Sequence, residues 1–235
     1  MKPAAFFFTV IVLPFSTGTR AQSPRSDTVV SVQDLALPGK AVEAFRKGTE
    51  LLNKGDSAAS VQYFLKAIQL APSSYRPYHN VGLAYLRLGQ LDEAAKNFQK
   101  SVDLTSHAFA PSYFGLSMIL YKRSNFVDAE LVVEQGLAID PASAVGNHCL
   151  GLVQYSLGHL AESERSALES LAHGGDSDAY MLLAKIHERR NVPAAVVSDV
   201  QAYLKLSPNG VLRDDALTLL HRAQLQLNPQ SAALR

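Results

Sequence analysis

The chain has 235 residues, 47% of them hydrophobic, with 22 basic against 21 acidic side chains. This is not the composition of a disordered chain, and it suits one large or two small packed units. The charge balance gives no basic field of the kind that holds nucleic acid or an anionic membrane. A single cysteine, Cys149 in the apolar stretch "NHCLGL", rules out a disulfide framework and a cysteine-based zinc site within one chain, and reads as a buried free thiol.

The chain opens with "MKPAAFFFTVIVLPFSTGTRAQS": one positive charge, an apolar run from Phe6 to Phe15, then small residues. Ten apolar residues rise only about 15 Å as a helix, half of a bilayer core. Residues 1–21 are therefore expected to be a cleaved export signal and not a span, with Thr19-Arg20-Ala21 as the small-x-small cleavage site. The mature chain then starts at Gln22. Losing Lys2 and Arg20 takes the 22 basic residues to 20, against 21 acidic. No cysteine follows the run, which argues against a lipid anchor; an uncleaved N-terminal anchor is the other reading of this segment. The protein is expected to be exported, periplasmic or secreted. Residues 22–39 are a lead-in: "QSPRSD" has a disordered composition, and the β-branched "TVVSVQDLALP" suits an extended segment against the first packed unit.

A repeat follows. "KGTELLNKGDSAASVQYFLKAIQLAP" (47–72) aligns with "VGLAYLRLGQLDEAAKNFQKSVDLTS" (81–106) at a spacing of 34, pairing Gly48 with Gly82, Gly55 with Gly89 and Phe64 with Phe98. The register continues from Gly82, Ala94 and Phe98 to Ser117, Ala129 and Val133 after 35 residues. It then passes to Gly151, Ser163 and Ala167 after 34, and to Ala184, Val196 and Val200 after 33. A period of this size indicates stacked supersecondary units. Within a unit the apolar residues follow helical spacing, as in Tyr78, Val81, Gly82 and Tyr85. Breaks at "KGDS", "LGQL", "RSNF", "LGHL" and "RRNV" divide each unit into two helices. Pro72, Pro141 and Pro208 close units, whereas Pro77, Pro111 and Pro193 enter first turns. Each unit is thus a helical hairpin. Two helices joined by so short a turn cross close to it, and small residues such as Gly82 and Ala94 allow the approach. Ser101 does the same toward the next hairpin, and Phe98 and Tyr85 fill the wedge beyond.

This pattern resembles the tetratricopeptide repeat: a small residue in the first helix, two in the second, an aromatic between them and a terminal proline. Units are placed at 41–74, 75–108, 110–143, 144–177 and 177–210, about 170 of the 235 residues. The chain lacks the frequent tryptophan, and unit four has Ala167 in the aromatic slot. The resemblance implies an all-α, right-handed α-solenoid. Residues 211–235 fit no sixth unit. Leu212, Ala216, Leu219, Leu220, Ala223 and Leu227 form one apolar stripe opposite Arg213, Asp214, Asp215 and Arg222, the form of a capping helix.

No catalytic constellation emerges. None of the seven histidines lies three or four residues from another, so no single helix carries a metal-binding face. No phosphate-binding glycine loop or nucleophile elbow is present. In "HGGDSD", Asp176 or Ser177 reads as a helix N-cap, and Asp92 is expected to pair with Lys96. The chain is expected to be no enzyme and to need no cofactor or metal.

A second stripe lies one residue on from the buried one on each first helix: Phe45/Thr49/Leu52, His79/Leu83/Leu86, Phe114/Met118/Tyr121, His148/Leu152/Tyr155 and Met181/Lys185/Glu188. The resemblance implies that these positions line the concave face. They read either as packing on neighbouring helices or as a groove for a peptide. The groove's candidate residues are Phe45, Thr49, His79, Asn80, Leu83, Arg87, Phe114, Met118, Tyr121, Lys122, His148, Leu152, Tyr155, Met181 and Lys185. Some relatives clamp a terminal carboxylate with Lys, Arg and Asn. Here only Asn80 matches, beside Phe45, Thr49 and Gly115, so such a clamp is not expected. The expected function is an exported, non-catalytic scaffold or adaptor that binds a protein or peptide in this groove. The alternative is a structural subunit of an envelope assembly, acting through self-association or the terminal helix.

Overall fold

The computed structural model describes residues 38–228; the expected signal, nearly all of the lead-in and the last seven residues lie outside them. Eleven helices run through this region: α1 (Gly39–Asn53), α2 (Ser57–Leu70), α3 (Tyr75–Arg87), α4 (Leu91–Leu104), α5 (Ala110–Lys122) and α6 (Phe126–Ile139), then α7 (Ala144–Leu157), α8 (Leu160–Ala172), α9 (Ser177–Arg189), α10 (Pro193–Leu206) and α11 (Arg213–Leu227). The first ten pair in order as five antiparallel hairpins, and the eleventh packs on the last. Each hairpin otherwise touches its neighbours, which is the pattern of an all-α solenoid.

Local chemistry sets the helix ends. Asp56 caps α2 by accepting from the Ala59 N–H at 3.0 Å, Ser143 caps α7 through the Gly146 N–H at 3.2 Å, and Asp176 caps α9 through the Asp178 N–H at 3.1 Å. The first helix of each hairpin ends in the left-handed region, at Gly55 (φ +85°), Gly89 (+74°), Ser124 (+60°), Gly158 (+85°) and Asn191 (+56°). This conformation reverses the chain in two or three residues and explains the glycines in the turn motifs.

Small residues do recur at the hairpin crossings, but they face different things. A Cβ on Gly48 would lie 2.7 Å from Phe64, and one on Gly82 would lie 2.9 Å from Phe98. A Cβ on Gly115 would stand 2.5 Å from the tip of the same Phe98 ring. The ring is therefore gripped between its own hairpin and the next, and Gly82 makes room for a ring more than for a backbone. Where the ring is missing, polar groups take over. Ser117 donates to the Ala129 carbonyl at 2.8 Å, and Ser163 donates to the Gly151 carbonyl at 2.7 Å. Ser166 donates to Gln154 at 2.8 Å and Ser170 to the Ala144 carbonyl at 2.9 Å, so α7 and α8 are joined by three hydroxyls. These bonds satisfy groups that are buried and would otherwise be costly.

The last helix buries Ala216, Leu219 and Ala223 against Val200 and Tyr203, and the Tyr203 hydroxyl accepts the Leu212 N–H at 3.1 Å. Leu227 is exposed, so the apolar stripe ends one turn before the sequence pattern suggests. Among the described residues, no helix is long and apolar enough to cross a membrane.

Candidate concave binding face

First helices contact the first helices of the next hairpin, and second helices make no comparable contact. That asymmetry places α1, α3, α5, α7 and α9 on the inner side of the curve. The candidate residues all lie on these five helices, and the structure divides them into three groups.

Phe114 and Met181 are withdrawn from the face, at 3% and 1% exposure. Val133 stands where Phe64 and Phe98 stand in the first two hairpins, and Phe114 packs against it. The Phe114 ring lies where a Cβ on Gly136 or Gly146 would approach within 2.5 Å. Met181 is covered by the capping helix, in one cluster with Ala216 and Leu219.

A second group is occupied by contacts within and between hairpins. Asn80 donates to Thr49 Oγ1 at 3.3 Å, and Thr49 donates to the Phe45 carbonyl at 3.0 Å. Phe45 packs on Phe64 with ring centroids 5.9 Å apart. Arg87 donates to the Leu52 carbonyl at 2.7 Å, closing the open C-terminal end of α1. Arg189, absent from the sequence-derived candidates, does the same for α7 by donating to the Tyr155 carbonyl at 2.8 Å. Its guanidinium also lies 3.8 Å from the Tyr155 ring centroid. Arg87 follows Leu52 by 35 residues and Arg189 follows Tyr155 by 34, so the repeat period was the signal that could have found this pair. The expected Asp92–Lys96 pair does not form: Lys96 turns to Glu93 at 2.7 Å, while Asp92 pairs with Arg123 of the next hairpin.

The third group remains available. Leu83, Met118, Tyr121, Leu152 and Tyr155 are half-buried along the inner layer, with Lys122 exposed at its edge. Leu83 bridges the first two hydrophobic clusters, and Leu152 and Tyr155 pack on the fourth. His79 and His148 stand among them. His79 Nδ1 lies 3.1 Å from Ser112 Oγ, its ring 5.4 Å from Phe98 and 5.2 Å from Phe109. Burial lowers the His79 pKa to about 4. Burial also lowers that of His148, against the pull of Asp176 and Asp178. Both imidazoles are thus neutral at ordinary pH. Lys185 lines a recess of about 180 Å³ between α9 and α11, shared with Glu188, Asp215 and Arg222.

Cys149 is buried and its thiol is pushed up to about 12, so it packs without reactivity. Among the described residues, no three His, Cys, Asp or Glu side chains are grouped to hold a metal.

A curved stack of hairpins with an open inner layer is an α-solenoid, a class built to present an extended surface. Within that class, the chain carries tetratricopeptide repeats: models of this repeat match residues 44–74, 63–96 and 82–144. It is 31% identical over 121 residues to a Dictyostelium discoideum "Protein STIP1 homolog", covering 48% of this chain and 21% of that one. The chain thus spans about a fifth of that relative's length. The fold is similar to that of a thermophilic TPR protein from Thermus thermophilus, with a TM-score of 0.69 at 20% identity, covering 79% and 99% of the two chains. It is also similar to YrrB, "a TPR protein with an unusual peptide-binding site", with a TM-score of 0.51 at 15% identity over 76% and 92%. Repeats of this kind bind peptides or proteins and in general serve as non-catalytic scaffolds.

Proposed function

We propose that this protein is an exported, non-catalytic adaptor that holds a protein or peptide against the inner face of its solenoid. The observation that carries the reading is the row Leu83, Met118, Tyr121, Leu152 and Tyr155. These large side chains are half-buried on a surface that a purely solvated face would make polar. Stacked hairpins hold the row in one shape, which lowers the ordering cost of binding. The export part of the reading rests on the charge-then-apolar pattern of residues 1–21.

The test is recovery of partners by the immobilised full chain, compared with Tyr121→Ser and Leu152→Ser. The expected result is loss of the specifically recovered proteins while circular dichroism remains unchanged. Equal recovery by wild type and variants places binding elsewhere.

A second reading, a structural subunit that self-associates, is favoured by the outer surface of α6. There Val127 is 62% and Leu131 56% exposed, whereas the equivalent positions on α4 are Asp92 and Lys96. Light scattering over a range of concentrations separates the two readings, since a monomer throughout rules out self-assembly.

A further inference from the structure

The two ends of the array are finished differently. One face of each later first helix meets the hairpin before it: Val81 and Ala84 of α3 pack with Leu52 and Phe64 of hairpin one. The same repeat positions carry Leu116 and Ile119, Leu150 and Val153, Leu183 and Ile186, and then Ala216 and Leu219 of the capping helix. In α1 they carry Lys47 and Glu50. Glu50 holds Lys54 at 2.7 Å, Lys47 at 3.3 Å and Arg46 at 4.0 Å. Such a face cannot receive another apolar hairpin without burying its charges.

This end face opens into a cleft of about 420 Å³ between α1 and α2, lined by Lys40, Glu43, Arg46, Lys47, Tyr63 and Lys66. Four cations thus stand around one carboxylate. We infer that the cleft is the docking site of the chain's own lead-in, with Asp34 seated among Lys40, Lys47 and Lys66. The lead-in then closes the first end of the solenoid as α11 closes the last.

Charge, reach and apolar flanks favour this occupant. From Ser26 to Pro38 the sequence carries Asp27 and Asp34 and no Lys, Arg or His. Pro38 is extended (φ −54°, ψ 134°) and its carbonyl accepts the Ala41 N–H at 2.7 Å, so the chain departs from the helical path there. Asp34 lies four residues before Pro38, a reach of about 13 Å when extended. Lys47 lies nine residues after it, about 13 Å along α1. A segment doubling back along α1 therefore brings Asp34 level with Lys47. Tyr63, Lys66 and Leu70 share one face of α2 by their spacing, with Tyr63 and Leu70 each 36% exposed. That apolar, cationic, apolar order suits an aspartate flanked by Val32 and Leu35. Single exposed ion pairs are weak, but a short tether holds the segment at an effective concentration in the millimolar range.

The test places a nitroxide on Gln33→Cys in the full chain. Cys149 is buried and stays unlabelled. The label should broaden the amide signals of Lys47, Tyr63 and Lys66 and leave those of α5 to α11 sharp. Asp34→Lys should reduce this broadening at least twofold, as should Lys40→Glu with Lys66→Glu, and all three changes together should restore it. Raising salt from about 0.05 to about 0.5 M should reduce it as well. In Asp34→Lys, amide exchange in α1 and α2 should rise about twofold to fivefold, the scale of an exposed ion pair. Lys40 and Lys66 are exposed, so circular dichroism should not change; should it change, Asp34→Lys, which alters no helix, decides alone. Broadening of α3, α5 and α7 in place of the cleft, no localised broadening, or broadening indifferent to charge reversal overturns the inference. So does broadening that survives when labelled chain is mixed with unlabelled, isotope-enriched chain, which assigns the cleft to a second copy. Recovery of partners through Tyr121 and Leu152 is a separate readout, so this inference and the groove reading fail independently.

Discussion

Single residues in this chain carry costs that their neighbours fix. Phe98 is held between Gly82 and Gly115, so a methyl added at Gly82 cannot be accommodated by moving the ring. Gly82→Ala should therefore lower stability by about 1–3 kcal/mol, read from the urea midpoint. The opposite change is available at Ser124, which holds φ +60° and is exposed. Ser124→Gly should raise stability by about 0.5–1 kcal/mol, since glycine adopts that conformation without strain. His79 gives a pH signature. Its folded pKa is about 4, below the ordinary histidine value. The unfolded chain takes up the proton first, so His79 costs nothing above the unfolded value. Stability then falls as the pH drops from the ordinary value toward 4. Wild type should lose up to about 3 kcal/mol more than His79→Gln over that window, and equal losses would show that His79 titrates in solvent. The positions of these small residues were legible from the 34-residue period. What each glycine faces was not, because Gly82 and Gly151 occupy equivalent places yet meet a phenylalanine ring and a leucine from the following hairpin.

At the scale of helices, substitutions between hairpins are compensated across elements. Val133 and Ala167 leave the second helices of hairpins three and four without their aromatic ring. The volume is supplied from first helices instead: Phe114 of α5 over Gly136 and Gly146, and Leu182 of α9 over Gly151. This is why the second stripe was only partly legible. His79, Phe114 and His148 share one position in the repeat, and spacing alone assigns them one surface. The Gly136 and Gly146 pair draws Phe114 inward, whereas Ser112 and Phe109 hold His79 at the edge. The sequence distinguishes them only through the positions on α6 and α7 that lack a side chain. A coupling follows. Gly136→Ala should cost about 1–3 kcal/mol by pressing on the Phe114 ring, and most of that cost should vanish in a Phe114→Leu background, because leucine leaves the contacted edge empty. A double-mutant cycle measures this, and simple additivity would mean that the ring and Gly136 do not share the space.

Across the whole molecule, stability is passed from hairpin to hairpin, so the seams decide how much of the array opens together. The seam after hairpin two is a phenylalanine in a glycine socket. The seam after hairpin four joins the contact of Leu182 over Gly151 to a cluster of charged side chains on α8, α9 and α10. His187 of α9 lies 2.6 Å from Asp199 of α10 through Nδ1 and 3.1 Å from Glu164 of α8 through Nε2, and Arg190 pairs with the same Glu164. The sequence showed His187 as one scattered histidine, since its two partners lie 12 and 23 residues away on other helices. Removing the imidazole leaves two half-buried carboxylates facing each other across the gap with only Arg190 to offset them, a larger loss than one missing hydrogen bond. His187→Ala should therefore accelerate amide exchange in α9, α10 and α11 by at least about tenfold, with α3 and α4 unchanged, since their contacts lie two seams away. Uniform acceleration through all eleven helices would instead show that the array opens as one unit.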